Sequence, residues 1–185
     1  MLYAAIDIGS NAVRLLFANI SKKQGNTHVE KATLIRIPLQ LGKDVFKTNK
    51  INSSRSKNLI NTMKAFKLLI DVYKPVDYIA CATAAMREAD NQIQILRKIK
   101  LETGLNIHLI DGGLEAKIIR SVNSNTFPEK NAITLLVDVG GGSTELSLEQ
   151  GNMLIDSKSF KLGTIRVLNN KNNLDVWEEI RRWLN

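Results

Sequence analysis

The sequence predicts an α/β protein whose mixed sheet is flanked by helices. Three observations carry that prediction. Three strand-like runs open the chain, helical and strand patterns alternate after them, and the opening pattern begins a second time near residue 132. At 185 residues the chain is long enough to bury a core without disulfides, and it suits one large domain or two small ones.

Residues 3–8 and 12–20 read as strands joined by a turn at Gly9–Asn11, and a polar break at Ser21–Asn26 precedes a third strand, His28–Ile37. Leu39–Asn52 shows no period and reads as irregular, with Gly42 and Asn49 as turn residues. Ser53 or Ser54 is placed to cap a helix whose apolar residues Leu59, Met63, Phe66, Ile70 and Tyr73 alternate spacings of four and three. Pro75 closes it, because proline cannot continue a helix. Val76–Ala82 then reads as a strand, Ala84–Glu88 as a short helical turn, Asn91–Thr103 as a helix stopped by Gly104, and Asn106–Ile110 as a strand.

Gly112 and Gly113 open a further helix that reaches about Ser124. Strands are expected at Ala132–Val139, Thr144–Glu149 and Met153–Lys161, followed by a final helix with Leu174, Trp177, Ile180 and Leu184 on one side. The polar stretch Asn123–Asn131, with Pro128, marks a boundary between a first lobe at residues 1–126 and the start of a second at 127–185. A second lobe like the first needs another helix–strand alternation to complete its sheet. The expectation is therefore that this lobe is truncated, or completed by another chain.

Composition narrows the function classes. Apolar content of 44% and charged content of 24% describe an ordinary globular protein. No apolar run is long enough for a bilayer, and the N-terminus enters a strand directly instead of a charged leader, so no membrane association is expected. A single cysteine, Cys81, excludes an internal disulfide and a cysteine zinc site, which makes a reducing cytoplasm the simplest location. Cys81 lies in an apolar run and reads as core, not as a nucleophile. The net charge of +8 is compatible with a polyanionic ligand, but no dense basic block or basic–aromatic alternation marks a nucleic-acid partner. His28 and His108 have no partners at ligand spacing, and no P-loop or dinucleotide fingerprint occurs.

Two stretches share one design. Tyr3–Asn11 and Leu135–Thr144 each run an apolar strand into an aspartate, then into glycine and small polar residues, before an apolar run resumes. Such a turn places a carboxylate beside several backbone N–H groups, so the amides can hold phosphate oxygens and the carboxylate a divalent cation. An Asp at a strand end ordinarily just forms a turn. Three consecutive glycines, Gly140, Gly141 and Gly142, followed by Ser143 and Thr144, exceed what a hairpin needs. Asp138 is therefore the first candidate for magnesium, whose hard ion prefers carboxylate oxygen. Asp7 with Gly9, Ser10 and Asn11 repeats the arrangement, and its Ser and Asn side chains can donate to phosphate as well. The pair implies two lobes facing a phosphate-binding cleft.

Further motifs carry a family resemblance. Ala4–Asn11, Ala82–Ala89, Thr103–Ile107 leading to Glu115–Ile119, Leu135–Glu145 and Phe160–Arg166 resemble, in order, successive motifs of the exopolyphosphatase / guanosine pentaphosphate phosphohydrolase family. The resemblance runs the length of the chain. It implies a duplicated actin-like, ribonuclease-H-like fold and release of terminal phosphate from inorganic polyphosphate or guanosine pentaphosphate (pppGpp). It also implies that Glu145 joins Asp138 and Asp7 at metal, that Glu115 is the base that activates water, and that Arg87 grips the phosphate transferred. The surroundings of Glu115 depart from the family pattern. Gly113 and Leu114 stand where acidic residues are common, and Lys117 replaces an arginine, keeping charge but losing the two-pronged grip.

Two other classes stay open from the residues alone. One is a non-catalytic phosphate-binding remnant, consistent with the short second lobe. The other is an actin-like ATPase or sugar kinase, although the later glycine motifs that bind adenosine in those proteins have no counterpart here. A homodimer is likewise open.

Overall fold

The computed structural model describes residues 1–23, 26–123, 132–151, 153–169 and 174–185, and the chain divides into two compact units, Met1–Leu109 and Ile110–Asn185. The expected linker is therefore outside the described residues from 124 to 131. Among the described residues no helix is long and apolar enough to cross a membrane.

In the first unit, strands β1 (Leu2–Ile8), β2 (Val13–Lys23), β3 (Asn26–Ile37), β4 (Tyr78–Ala82) and β5 (His108–Leu109) form one sheet in the order β3-β2-β1-β4-β5. β1 pairs antiparallel with β2 and parallel with β4, so the sheet is mixed, as the alternation of elements predicted. Alternate residues of β1 are buried: Ala4, Ile6 and Ile8 face the core, while Asp7 takes the other face with Cys81 of β4 as its neighbour. Helix α2 (Ser53–Tyr73) lays Leu59, Met63 and Phe66 onto this core, and Ile99 of helix α4 (Gln92–Thr103) joins them. Tyr73 closes one end, its ring stacked on Phe17 with centroids 4.3 Å apart.

Three local readings need correction. Asn52, not Ser53 or Ser54, caps α2: its side chain accepts the Arg55 N–H at 2.8 Å. The stretch expected to be irregular contains helix α1 (Gly42–Thr48), which has too few residues to show a period. Tertiary bonds hold it: the Gly42 N–H donates to the Ser10 carbonyl at 2.9 Å, and Asp44 forms an ion pair with Arg55. The strand expected over Asn106–Ile110 shrinks to β5, two residues long.

In the second unit, helix α5 (Gly112–Asn123) covers one face of a three-stranded antiparallel sheet of β6 (Ile133–Val139), β7 (Thr144–Gln150) and β8 (Met153–Phe160), in the order β6-β7-β8. The boundary thus falls before α5 instead of after it, because α5 packs on β7 and β8. The opposite face carries Leu146, Phe160, Leu162 and Ile180 as a small core, with helices α6 (Thr164–Asn169) and α7 (Leu174–Leu184) following β8. Trp183 packs edge-on against Phe160 at 6.0 Å and donates its indole N–H to Asp156. The expected apolar side of α7 is only partly used: Ile180 is buried, but Trp177 remains 52% exposed along an apolar groove.

The two units share a local plan. Strand, glycine turn, strand, third strand and short helix follow one another as β1-β2-β3-α1 and as β6-β7-β8-α6.

Helix α4 ends at Gly104, whose φ of +73° is left-handed, and a side chain added there would meet nothing within 4 Å. Any penalty for Gly104→Ala is therefore conformational. It is expected to destabilise the first unit by about 1 kcal/mol, with Gly104→Asn costing less, read as shifts of the urea midpoint at constant slope.

Candidate active site

The two glycine turns have the same hydrogen-bonded skeleton. The Gly9 N–H donates to the Ala12 carbonyl at 3.1 Å, and the Gly140 N–H donates to the Ser143 carbonyl at 2.9 Å. In each, a Cβ on that glycine would lie 3.1 Å from the same carbonyl oxygen, which is why glycine stands at both. The following short helix braces each turn at an equivalent place. Gly42 donates to the Ser10 carbonyl at 2.9 Å, and Ile165 donates to the Gly141 carbonyl at 2.9 Å.

The second turn is braced more heavily. Thr164 N–H donates to the Gly140 carbonyl at 3.0 Å, and Arg166 Nε to the Gly142 carbonyl at 2.5 Å. All three glycine carbonyls are thus engaged, so amide N–H groups are what this turn has to offer a ligand, and backbone amides of such turns bind anions. Of the hydroxyl residues beside it, Thr144 braces the frame. Ser143 and Thr144 are both buried, and Thr144 Oγ1 donates to the Leu162 carbonyl at 2.5 Å. Ser10 plays a similar part in the first turn. It is 5% exposed, and its Oγ accepts the Ala85 N–H at 3.2 Å, tying the turn to helix α3 (Ala84–Glu88). Asn11 is half-buried and its carbonyl accepts the Gln40 N–H at 2.8 Å. Arg87 lies on α3, half-buried, two residues beyond Ala85.

The copies differ in charge. In the first, Asp7 sits directly opposite Arg14 across β1 and β2, and Arg14 donates to Asp7 Oδ2 at 2.8 Å. In the second, the equivalent positions across β6 and β7 are Asp138 and Glu145. An ion pair is balanced, whereas like charges opposite one another on a sheet repel. Glu145 is only 3% exposed, and Ser159 Oγ on β8 donates to its Oε1 at 2.7 Å. The charges around Asp7 have a further effect: burial, helped by the Asp7 carboxylate, pushes the Cys81 thiol up, which disfavours the nucleophilic thiolate.

Helix α5 roofs the acidic pair. Asp111 caps it, with Oδ1 accepting the Leu114 N–H at 2.8 Å, and Gly112 packs so closely on β8 that a Cβ there would lie 2.4 Å from the Ser159 Cβ. Glu115 is in the first turn, with Oε2 shielded from solvent. Ala116, Ile119 and Arg120 line a cavity of about 210 Å³ together with Asp138, Glu145 and Ser147. Gly113, Leu114 and Lys117 point outward and are exposed.

Magnesium fits this donor set. Among the described residues no three His, Cys, Asp or Glu side chains converge, but magnesium usually takes one or two protein carboxylates and keeps its other positions for water and phosphate. Asp138 and Glu145 supply that number at the mouth of the glycine turn. Asp7 suits a cation less well, since the Arg14 guanidinium already neutralises it.

Residues 21–178 match the model of the Ppx/GppA phosphatase family. The chain belongs to that family. Among its relatives is a bifunctional 3-dehydroquinate synthase/phosphatase of Fusobacterium nucleatum, 34% identical over 181 residues, covering 92% of this chain and 27% of that protein. The crystal structure of an exopolyphosphatase from Cytophaga hutchinsonii superposes with a TM-score of 0.81 at 28% identity, over 91% of this chain and 53% of that one. The Ppx/GppA family member of Aquifex aeolicus gives 0.75 at 30% identity, over 98% of this chain and 58% of that one. The chain thus spans little more than half of these structures. Its fold is the actin-like one the resemblance implied, and the mixed sheet of the first unit accords with it.

The sequence singled out the aspartates, the glycine turns, Arg87 and Glu115; Arg14, Asp111, Ser159 and the Arg120–Glu149 ion pair come to notice only in the structure. Arg14 alone had a local signal: it stands as far beyond Asp7 as Glu145 stands beyond Asp138.

Gly163 packs against the second turn so tightly that a Cβ would lie 2.5 Å from Gly141 and Gly142 backbone atoms. Gly163→Ala is expected to displace the turn, weakening binding of inorganic tripolyphosphate roughly tenfold or more while the far-ultraviolet dichroism stays at the parent level. Calorimetric titration reads the binding.

Proposed function

We propose that this chain carries the phosphate-hydrolysing centre of a magnesium-dependent phosphohydrolase, acting on the terminal phosphate of inorganic polyphosphate or of pppGpp. The observation that supports this best is the Asp138–Glu145 pair, two carboxylates facing each other where the first copy has an ion pair, beside a glycine turn whose carbonyls are engaged. Membership of a phosphatase family agrees with it. A cytoplasmic location accords with that substrate class.

Bound by Asp138 and Glu145, magnesium supplies a Lewis acid that offsets charge on the phosphoryl oxygens. The chain's own residues do the rest. Amide N–H groups of Gly141, Gly142 and Ser143 hold phosphate oxygens, a task suited to a rigid turn because phosphoryl transfer depends mainly on positioning and electrostatics. Ser159 keeps the Glu145 carboxylate aimed by donating to one of its oxygens. Glu115 orients water and takes its proton at a carboxylate oxygen. Within the first unit, the Gly9–Asn11 turn and Arg87 give a second set of phosphate donors, Arg87 with the paired geometry that guanidinium offers.

Glu115→Gln keeps the side chain's size and removes its basicity. It is expected to lower phosphate release from polyphosphate and from pppGpp by about 10²–10⁴-fold while leaving calorimetric binding within about threefold. Loss of binding together with turnover would make Glu115 structural. Binding by the parent without turnover, unchanged in Glu115→Gln, would select a phosphate-binding module instead of an enzyme. The faster-released substrate of the two decides between polyphosphate and pppGpp.

A further inference from the structure

The sheet face beneath α5 is polar where a helix–sheet interface is ordinarily apolar. Glu145, Ser147 and Glu149 alternate along β7 on that face, and all three are buried. Each has a specific partner: Ser159 for Glu145 at 2.7 Å, Ser157 for Ser147 at 2.9 Å, and Arg120 for Glu149, with Nε donating to Oε1 at 2.5 Å. Glu149 is 3% exposed, and a carboxylate so far out of water is costly unless it is paired with good geometry. Simple packing of α5 would be served by an aliphatic residue at that position.

The partners lie at matching intervals. Gly112 meets Ser159, the cross-strand neighbour of Glu145, and Arg120 meets Glu149. Eight helical residues rise about 12 Å and four strand residues about 13 Å, so α5 runs alongside β7 in the same direction and is pinned at both ends. Glu115 lies between the pins. Apolar contacts tolerate a helix that slides or rolls, because they are non-directional, whereas a close guanidinium–carboxylate contact does not.

We infer that Arg120 and Glu149 are positioning residues: their buried ion pair sets the depth and rotation of α5, and through it the placing of Glu115, in the first turn of that helix. The inference rests on the phosphohydrolase reading for its activity readout and on the geometry of α5 for a second, independent one.

The test uses the full chain, inorganic polyphosphate with magnesium as substrate, and amide hydrogen exchange. Glu149→Leu and Arg120→Met are each expected to lower kcat at least tenfold with KM within about twofold, since a small misplacement of a catalytic group is costly. Both are also expected to speed exchange across residues 113–120 and leave α2 unchanged. The double variant Arg120→Met/Glu149→Leu removes both charges and fills the space with apolar atoms. It is expected to restore slow exchange and to bring kcat to within about threefold of the parent.

Single variants with parental kcat and parental exchange would overturn the inference. So would a double variant that regains slow exchange without regaining kcat, because Arg120 would then act on substrate itself. A fall in apparent kcat that only tracks the unfolded fraction would likewise overturn it. If the parent releases no phosphate, the phosphohydrolase reading fails, and exchange still decides the mounting of α5: unchanged exchange in the single variants refutes it.

Discussion

Asp138 faces Glu145 across an antiparallel ladder, and one of these carboxylates is almost wholly removed from water. Cross-strand neighbours stand about 5 Å apart, where like charges repel and burial makes the repulsion worse. The second unit accepts this arrangement and organises itself around it. Ser159 donates to Glu145, α5 roofs the pair, and α6 engages every carbonyl of the adjoining glycine turn. A divalent cation between them would relieve that repulsion, and a turn whose carbonyls are engaged leaves amides as its polar groups, which is why the proposed reading places magnesium and phosphate here.

The first unit shows what the same scaffold does without that constraint. Its turn closes with the same Gly N–H to carbonyl bond and is braced from the same position of the next helix. Yet Asp7 faces Arg14, so the charge is balanced within the chain. The hydroxyl of Ser10, which the sequence offers as a phosphate donor, also anchors α3 by accepting from Ala85. One duplicated backbone device thus supports two electrostatic outcomes, set by a single residue across the ladder. In the second copy, the polar stripe under α5 gives directional contacts that fix the helix carrying Glu115.

Much of this plan was legible from local signals. Strand, aspartate and glycine repeated at two places, and the periodic apolar residues of α2 announced the main core helix. What escaped was non-local. Helix α1 is too short for a period to show and owes its place to bonds with Ser10 and Arg55. Helix α5 belongs with the strands that follow it because of contacts with β7 and β8, which no boundary composition reveals. Ser159, Arg120 and Glu149 read as ordinary polar residues until the fold brings the two strand residues under the helix that carries Arg120. The stripe on α7 failed differently: the period was right, but among the described residues only Ile180 of that stripe finds full cover.

The account turns on whether the opposed carboxylates hold a divalent cation. The most direct measurement is a Mn²⁺ titration of the full chain followed by water-proton relaxation, with Mg²⁺ as competitor, in the parent and in Glu145→Arg. That substitution gives the second copy the charge pairing of the first. The account predicts a saturable, Mg²⁺-competed enhancement in the parent that is lost in Glu145→Arg while the fold is kept. An enhancement of equal strength in both proteins, or none in the parent, would contradict it.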